Sequence, residues 1–179
     1  MTRWIDGERI IDLGCYLGWN SGFYKIYSTA KHYVVGTDLD AGNLRKAKGW
    51  LDEVVLADVR QLPFRDKAFN NSLAIEVLEH LPGEDAVEMI AEGKRVSDGY
   101  LFLTTPNGWR GRGNERLLLE HELMEHKSSY TANDLRTLGA KKVRGIGWKG
   151  RPSLSRYLFA SWWVPFYFPK LSANLMALF

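Results

Sequence analysis

Short apolar runs alternate along this chain with stretches in which apolar side chains recur every three to four positions. Ile10 to Leu13 is apolar apart from Asp12 and predicts a central parallel strand buried on both faces. Ser21 to Ala30 then sets Phe23, Ile26, Tyr27 and Ala30 on one side of a helix. Tyr33 to Thr37 predicts a second strand, Asp40 the cap of a helix carrying Ala41, Leu44 and Ala47, and Val54 to Ala57 a third strand. A polar connection, Arg60 to Asn71, holds Leu62-Pro63-Phe64 and leads into a fourth strand, Ser72 to Val77. Pro82 opens a helix with Ala86, Val87, Ile90 and Ala91 as its stripe, and Gly99 to Thr104 predicts a fifth strand that Pro106 keeps from continuing.

This alternation predicts the α/β class, a doubly wound and mostly parallel sheet. Farther on, Trp109 to Arg116 reads as a Gly- and Arg-rich loop. Thr131 and Asp134 have capping-box spacing before Leu135 and Leu138, with Gly139 ending that helix, and Lys142 to Ile146 suits a sixth strand. Leu158 to Phe168 is aromatic, broken by Pro165, and at 11 residues well short of a bilayer span. We expect it to pack on the core, with peripheral contact with a membrane surface as the alternative.

A length of 179 residues suits one domain over 1–179, divided into a ligand-binding half to residue 107 and a covering half from 108. Cys15 is the single cysteine, which excludes an intramolecular disulfide, and Met1 to Arg9 lacks the apolar core of a secretory signal. The expected setting is cytoplasmic. The net charge of +3 hides an asymmetry, since seven Lys and Arg residues follow residue 140 with no Asp or Glu among them. Such a basic, aromatic tail suits either a solvated edge or an acidic partner surface.

The candidate chemistry starts at the first strand. Gly14 and Gly18 permit a tight turn and close ligand approach, and the following helix presents free N–H groups. Asp38 and Asp58 close the second and third strands, so both carboxylates fall on the sheet edge where open α/β sheets bind ligands. One suits a ribose diol and the other an adenine amino group.

Asp12-Leu13-Gly14-Cys15-Tyr16-Leu17-Gly18, Gly36-Thr37-Asp38 and Asp58-Val59-Arg60-Gln61-Leu62-Pro63-Phe64 together resemble the class I methyltransferases that use S-adenosylmethionine, in particular the small-molecule group of type 11. Glu76-Val77-Leu78-Glu79-His80-Leu81 and Thr105-Pro106-Asn107 are similar to that group's fourth and fifth strand endings, so the resemblance covers about residues 10–107. It implies the Rossmann-like methyltransferase fold and S-adenosylmethionine as cofactor. By the same resemblance Asp12 orients the methionine amino group, and the turn holding Gly14, Cys15 and Gly18 wraps the amino-acid end. Asp38 with Leu39 holds the ribose, Asp58 and Val59 meet the adenine edge, and Ile75 and Glu76 form the inner wall. Tyr16 stands where the family has glycine, and Asn70 where it commonly has Asp. The family sheet ends in an antiparallel hairpin; Leu175 to Phe179 is short for its last strand, leaving Tyr157 to Val164, or no strand, as alternatives and the hairpin shortened or atypical.

Methyl transfer to oxygen or carbon of a small or moderately apolar acceptor is the activity implied, with His80 as candidate catalytic base and His126 second. Glu79 reads as a solvated carboxylate, with orienting His80 or the acceptor as the alternative, and Cys15 as a backbone element rather than a nucleophile. His121 and His126 are five apart, about 140° around a helix, so they do not share a face as zinc ligands would, and no metal is expected. A nicotinamide fingerprint fails at Tyr16 and Trp19. Two alternatives stay open. One is a non-catalytic cofactor- or partner-binding subunit, or a dimer, touching through the aromatic region around Trp162, Trp163 and Phe166. The other is a nucleic-acid acceptor held by Arg110, Arg112, Arg116 and the Lys141 to Arg151 stretch. Against the second, the fourth strand lacks the Asn/Asp-Pro-Pro-aromatic ending of amino-methylating nucleic-acid enzymes.

Overall fold

A computed structural model describes residues 9–22, 31–108, 125–148 and 172–179. The expected helix from residue 23 onward, the Gly/Arg loop with His121, and the aromatic segment 158–168 lie outside the described residues.

The described strands form one seven-stranded sheet in the order β3-β2-β1-β4-β5-β7-β6. β1 (Arg9–Leu13) lies between β2 (Tyr33–Asp38) and β4 (Asn71–Ile75), both parallel to it, with Ile11 opposite Val35 on one side and Ser72 on the other. β3 (Glu53–Leu56) and β5 (Leu101–Pro106) extend the parallel part outward. The second to fifth strands thus stand where the apolar runs place them, shifted by one or two residues.

Alternation along the strands separates two cores. Ile11, Leu13, Val35, Ala74, Leu101 and Leu103 pack on one face with Ala86, Met89 and Ile90 of α2 (Asp85–Val96) and Leu135 of α3 (Ala132–Thr137). Ile10, Val34, Leu73, Phe102 and Leu178 pack on the other with Leu44 and Ala47 of α1 (Ala41–Ala47) and Leu51. Each fully buried Leu, Ile, Val, Met or Phe among these contributes roughly 1.5–3 kcal/mol. The caps fall where expected: the Asp40 side chain accepts from the Asn43 N–H, and Thr131 and Asp134 form a reciprocal capping box. Gly139 follows with φ +98°, a backbone suited to glycine.

The polar connection before β4 is fastened to α2 by Arg95, whose guanidinium donates to the Leu62 and Phe64 carbonyls and pairs with Glu92 and Asp66. Glu92 in turn accepts from the Leu62 N–H at 2.7 Å. The connection therefore presents its first residues, Asp58 to Arg60, at a fixed place on the sheet edge.

The end of the sheet corrects the expectation of a displaced or missing last strand. β7 (Ser172–Leu178) runs antiparallel between β5 and β6 (Lys142–Trp148), with Phe102 opposite Leu178, Pro106 opposite Asn174 and Trp148 opposite Ser172. Leu175, Ala177, Leu178 and Phe179 are buried. A strand covered on both faces has no polar alternation to mark its start, which is why the sequence shows only its last apolar residues. No helix among the described residues is long and apolar enough to cross a membrane.

Candidate active site

From β1 the chain winds one way to β2 and β3 and the other way to β4 and β5, and a crevice opens at the carboxyl ends where the direction changes. It has a volume of about 950 Å³ and is lined by Asp12, Gly14, Cys15, Tyr16, Asp38, Leu39, Asp58, Val59, Ile75, Glu76 and His80, among others. Of the residues expected at a site, only Gly18 and His126 are not in that lining.

The turn after β1 owes its shape to backbone conformation. Gly14 has φ +64°, and a Cβ there would lie 2.8 Å from Val77 Cγ2. Gly18, at φ +78°, packs against α1, where a Cβ would meet Ala47 Cα at 3.1 Å. Between them Tyr16 takes φ +49°, a left-handed conformation costing a non-glycine residue about 1–2 kcal/mol. Its N–H donates to Asp38 Oδ2 at 2.9 Å, and the residue is 45% exposed and lines the crevice. Asp38 Oδ1 accepts from the Asp40 N–H at 2.8 Å, so its carboxylate is held from both sides.

Asp12 is 2% exposed, and burial, with a smaller contribution from the Asp38 charge, pushes its carboxyl up to about 7. The adjacent Ser21 hydroxyl opposes that rise; it is buried and closes no hydrogen bond of good geometry. The Cys15 thiol is pushed up by burial and by the two carboxylates, so it stays protonated, while its N–H donates to the Thr37 carbonyl at 2.8 Å. Both facts fit a backbone role. Asp58 is clasped by Arg60, with Nη2 at 2.6 Å from Oδ2, and Arg60 reaches on to Asp85 at 2.7 Å. The Arg60 hydrogen bond holds the Asp58 carboxyl below its usual range.

Beyond β4 the backbone turns sharply at Glu76, φ +56°. Glu76 Oε1 accepts from the Thr104 hydroxyl at 2.7 Å and Oε2 from the Asn174 amide at 3.1 Å. A 3-10 turn, Leu78–His80, follows. Glu79 within it corrects the expectation of a solvated carboxylate: it is 2% exposed, Oε2 accepts from Thr105 Oγ1 at 3.0 Å, and Oε1 is buried with no hydrogen-bond partner. Burial, then the Glu76 charge, pushes its carboxyl up to about 8.

His80 lies 3.2 Å through Nδ1 from the Glu125 carbonyl. A carbonyl only accepts, so Nδ1 carries the proton and Nε2 keeps its lone pair. Burial lowers the His80 pKa below the usual imidazole value, which keeps the ring neutral. The segment from Glu125 is docked on the turn: the Lys127 and Ser128 N–H groups both donate to the Glu79 carbonyl, at 2.8 and 3.1 Å. This docking brings the His126 ring edge-on to His80, centroids 4.9 Å apart. Lys127 joins the crevice lining with Arg60 and Asp85, three residues to which sequence reasoning gave no role. Arg60 lies inside the Asp58 to Phe64 segment that resembles the family's adenine side; nothing in the sequence marks Lys127.

Residues 11–103 match the family model described as a methyltransferase domain. Among curated proteins none matches the chain in sequence. Solved structures share its fold. The small RNA methyltransferase HEN1 aligns at 17% identity and TM-score 0.71, over 99% of this chain and 23% of that one. An S-adenosylmethionine-dependent methyltransferase from Archaeoglobus fulgidus aligns at 14% and 0.68, over 98% and 86%. The Haloferax volcanii structure of a methyltransferase activator, Trm112, in complex with its partner aligns at 14% and 0.67, over 97% and 81%.

Proposed function

This chain belongs to the methyltransferase-domain family, as an S-adenosylmethionine-dependent enzyme of class I, and we propose that it methylates oxygen or carbon of a small or moderately apolar acceptor presented beside His80. The crevice residues suit the cofactor. Asp12 is a buried carboxyl with no cationic partner among the described residues, a place for the methionine ammonium. Asp38 is pre-oriented for the ribose diol, Asp58 and Val59 stand at the adenine edge, and Ile75 and Glu76 form the inner wall. The absence of a Cβ at Gly14 lets the chain turn against Val77 at the amino-acid end. When bound, the cofactor supplies a methyl group already attached to its leaving group, a sulfonium.

What remains for the protein is to place the acceptor, exclude water and take a proton. The observation that carries this reading is His80: a neutral imidazole on the crevice wall, its Nδ1–H spent on Glu125, its Nε2 lone pair available for an acceptor's proton. A protein partner over the acceptor side is part of the proposal, supported by the likeness in fold to a chain that is complexed with an activator.

Calorimetric titration with S-adenosylhomocysteine, followed by an acceptor screen, tests the reading. Wild-type protein is expected to bind with micromolar affinity. Asp38→Ala should lose about tenfold or more, the value of charge-assisted hydrogen bonds. His80→Ala should bind the ligand normally yet turn over at least about 100-fold more slowly. Unchanged affinity in Asp38→Ala would remove Asp38 from the site, and full turnover by His80→Ala would remove the base.

A further inference from the structure

Glu79, His80 and His126 come from two separate segments, and each offers one ligand atom such that the three lie within 4.8 Å of one another. We propose that this trio binds a divalent first-row transition ion of the Mn²⁺ to Zn²⁺ series, at the acceptor side of the crevice. The proposal rests on the methyl-transfer reading above and gives its acceptor side a different activating group.

Three independent features are those of a metal centre. Glu79 Oε1 is buried and unpartnered while Oε2 is fixed by the Thr105 hydroxyl, so a carboxyl oxygen without a partner is held in one orientation. Such an atom is costly to bury unless a donor or a cation meets it. His80 spends Nδ1–H on a backbone carbonyl, the outer hydrogen bond by which metal-ligating imidazoles are commonly oriented, and presents Nε2. Glu76, three positions before Glu79, is a second carboxylate whose two oxygens already accept from Thr104 and Asn174. It supplies negative potential without competing as a ligand.

The distances are near what an ion requires. Bonds of about 2.0–2.2 Å hold ligand atoms no more than about 4.4 Å apart. A closure of a few tenths of an ångström between the outermost ligand atoms suffices. Two imidazoles and one carboxylate suit a transition ion better than Mg²⁺ or Ca²⁺. Because three protein ligands leave coordination positions open and His80 lines the crevice, the acceptor hydroxyl can reach the ion. The ion then takes the Nε2 lone pair that would otherwise accept a proton. Coordination acidifies the hydroxyl, whose proton passes to solvent water, and the acceptor is an oxygen nucleophile able to ligate a metal.

Chelator-treated full-length protein titrated with Mn²⁺, Co²⁺ and Zn²⁺, with Mg²⁺ for comparison, tests the site without any turnover. We expect one equivalent of transition ion at micromolar affinity or tighter, weak Mg²⁺ binding, and a visible Co²⁺ spectrum. Glu79→Gln and His126→Asn should each weaken binding by about tenfold or more and change that spectrum. S-adenosylhomocysteine titrated into the same samples reports folding and the cofactor site. Protein that binds the adenosyl ligand but no transition ion up to millimolar concentration overturns the metal site and leaves the methyl-transfer reading standing. Ion binding that both variants retain places the ion elsewhere and also overturns it. Ion binding without adenosyl-ligand binding would instead sink the methyl-transfer reading.

Discussion

At the scale of single residues, Asp12 sets the clearest expectation. Its carboxyl in the folded protein, about 7, lies above the ordinary value of 3.8, so the native state holds a proton that the unfolded chain has lost. Stability contributed at this site is therefore complete at acid pH and falls as pH rises from about 4 through 7. Asp12→Asn removes that loss: thermal melts of the ligand-free proteins should show the variant melting higher at pH 8, with the gap narrowing toward pH 5. Binding a ligand ammonium requires the ionised form, so wild-type affinity for S-adenosylhomocysteine should rise about tenfold between pH 6 and 8, as the competent fraction grows. Asp12→Asn should bind weakly and without that rise. Parallel pH profiles in the two proteins would remove Asp12 from the ammonium's partners. The sequence marked Asp12 through the resemblance of its motif and placed it in a strand buried on both faces; what it did not show is the raised carboxyl that this burial produces.

Among the elements, those marked by local signals were legible and those built by long-range pairing were not. The α3 capping box is visible in Thr131 and Asp134 because both halves of the interaction lie three residues apart. Thr131→Ala should cost about 1 kcal/mol, read as a lower urea midpoint, and leave adenosyl-ligand affinity unchanged, since α3 borders the sheet away from the crevice. A larger loss, or weaker ligand binding, would mean that α3 helps position the site. The 3-10 turn and the segment from Glu125 give the opposite case. Spacing drew attention to His121 with His126, whereas the structure joins His126 to His80, 46 residues away in sequence, through backbone hydrogen bonds no motif encodes. Glu79 was misread for the same reason, because its burial comes from Thr105 on the neighbouring strand and from a segment that returns to cover it.

For the molecule as a whole, the crevice is built by β1 to β4, yet its acceptor wall depends on the far end of the chain. β7 lies between β5 and β6, and Asn174 within it reaches Glu76 at the end of β4, a contact spanning 98 positions. That coupling makes the last strand a support for the site as well as for the core. Leu175, fully buried opposite Thr105 and Gly145, separates the two roles. Leu175→Ala leaves a cavity beneath the sheet and should cost about 3 kcal/mol, lowering Tm by roughly 10 °C. Well below that Tm, adenosyl-ligand affinity should match wild type, because the cofactor residues sit on other strands. Asn174→Ala should do the reverse, with a small change in Tm but altered turnover, since it frees one oxygen of Glu76 beside His80. Loss of cofactor affinity in Leu175→Ala while the protein is still folded would show that the sheet transmits strain from its antiparallel edge to β1, and the two halves of the molecule would then have to be treated as one cooperative site.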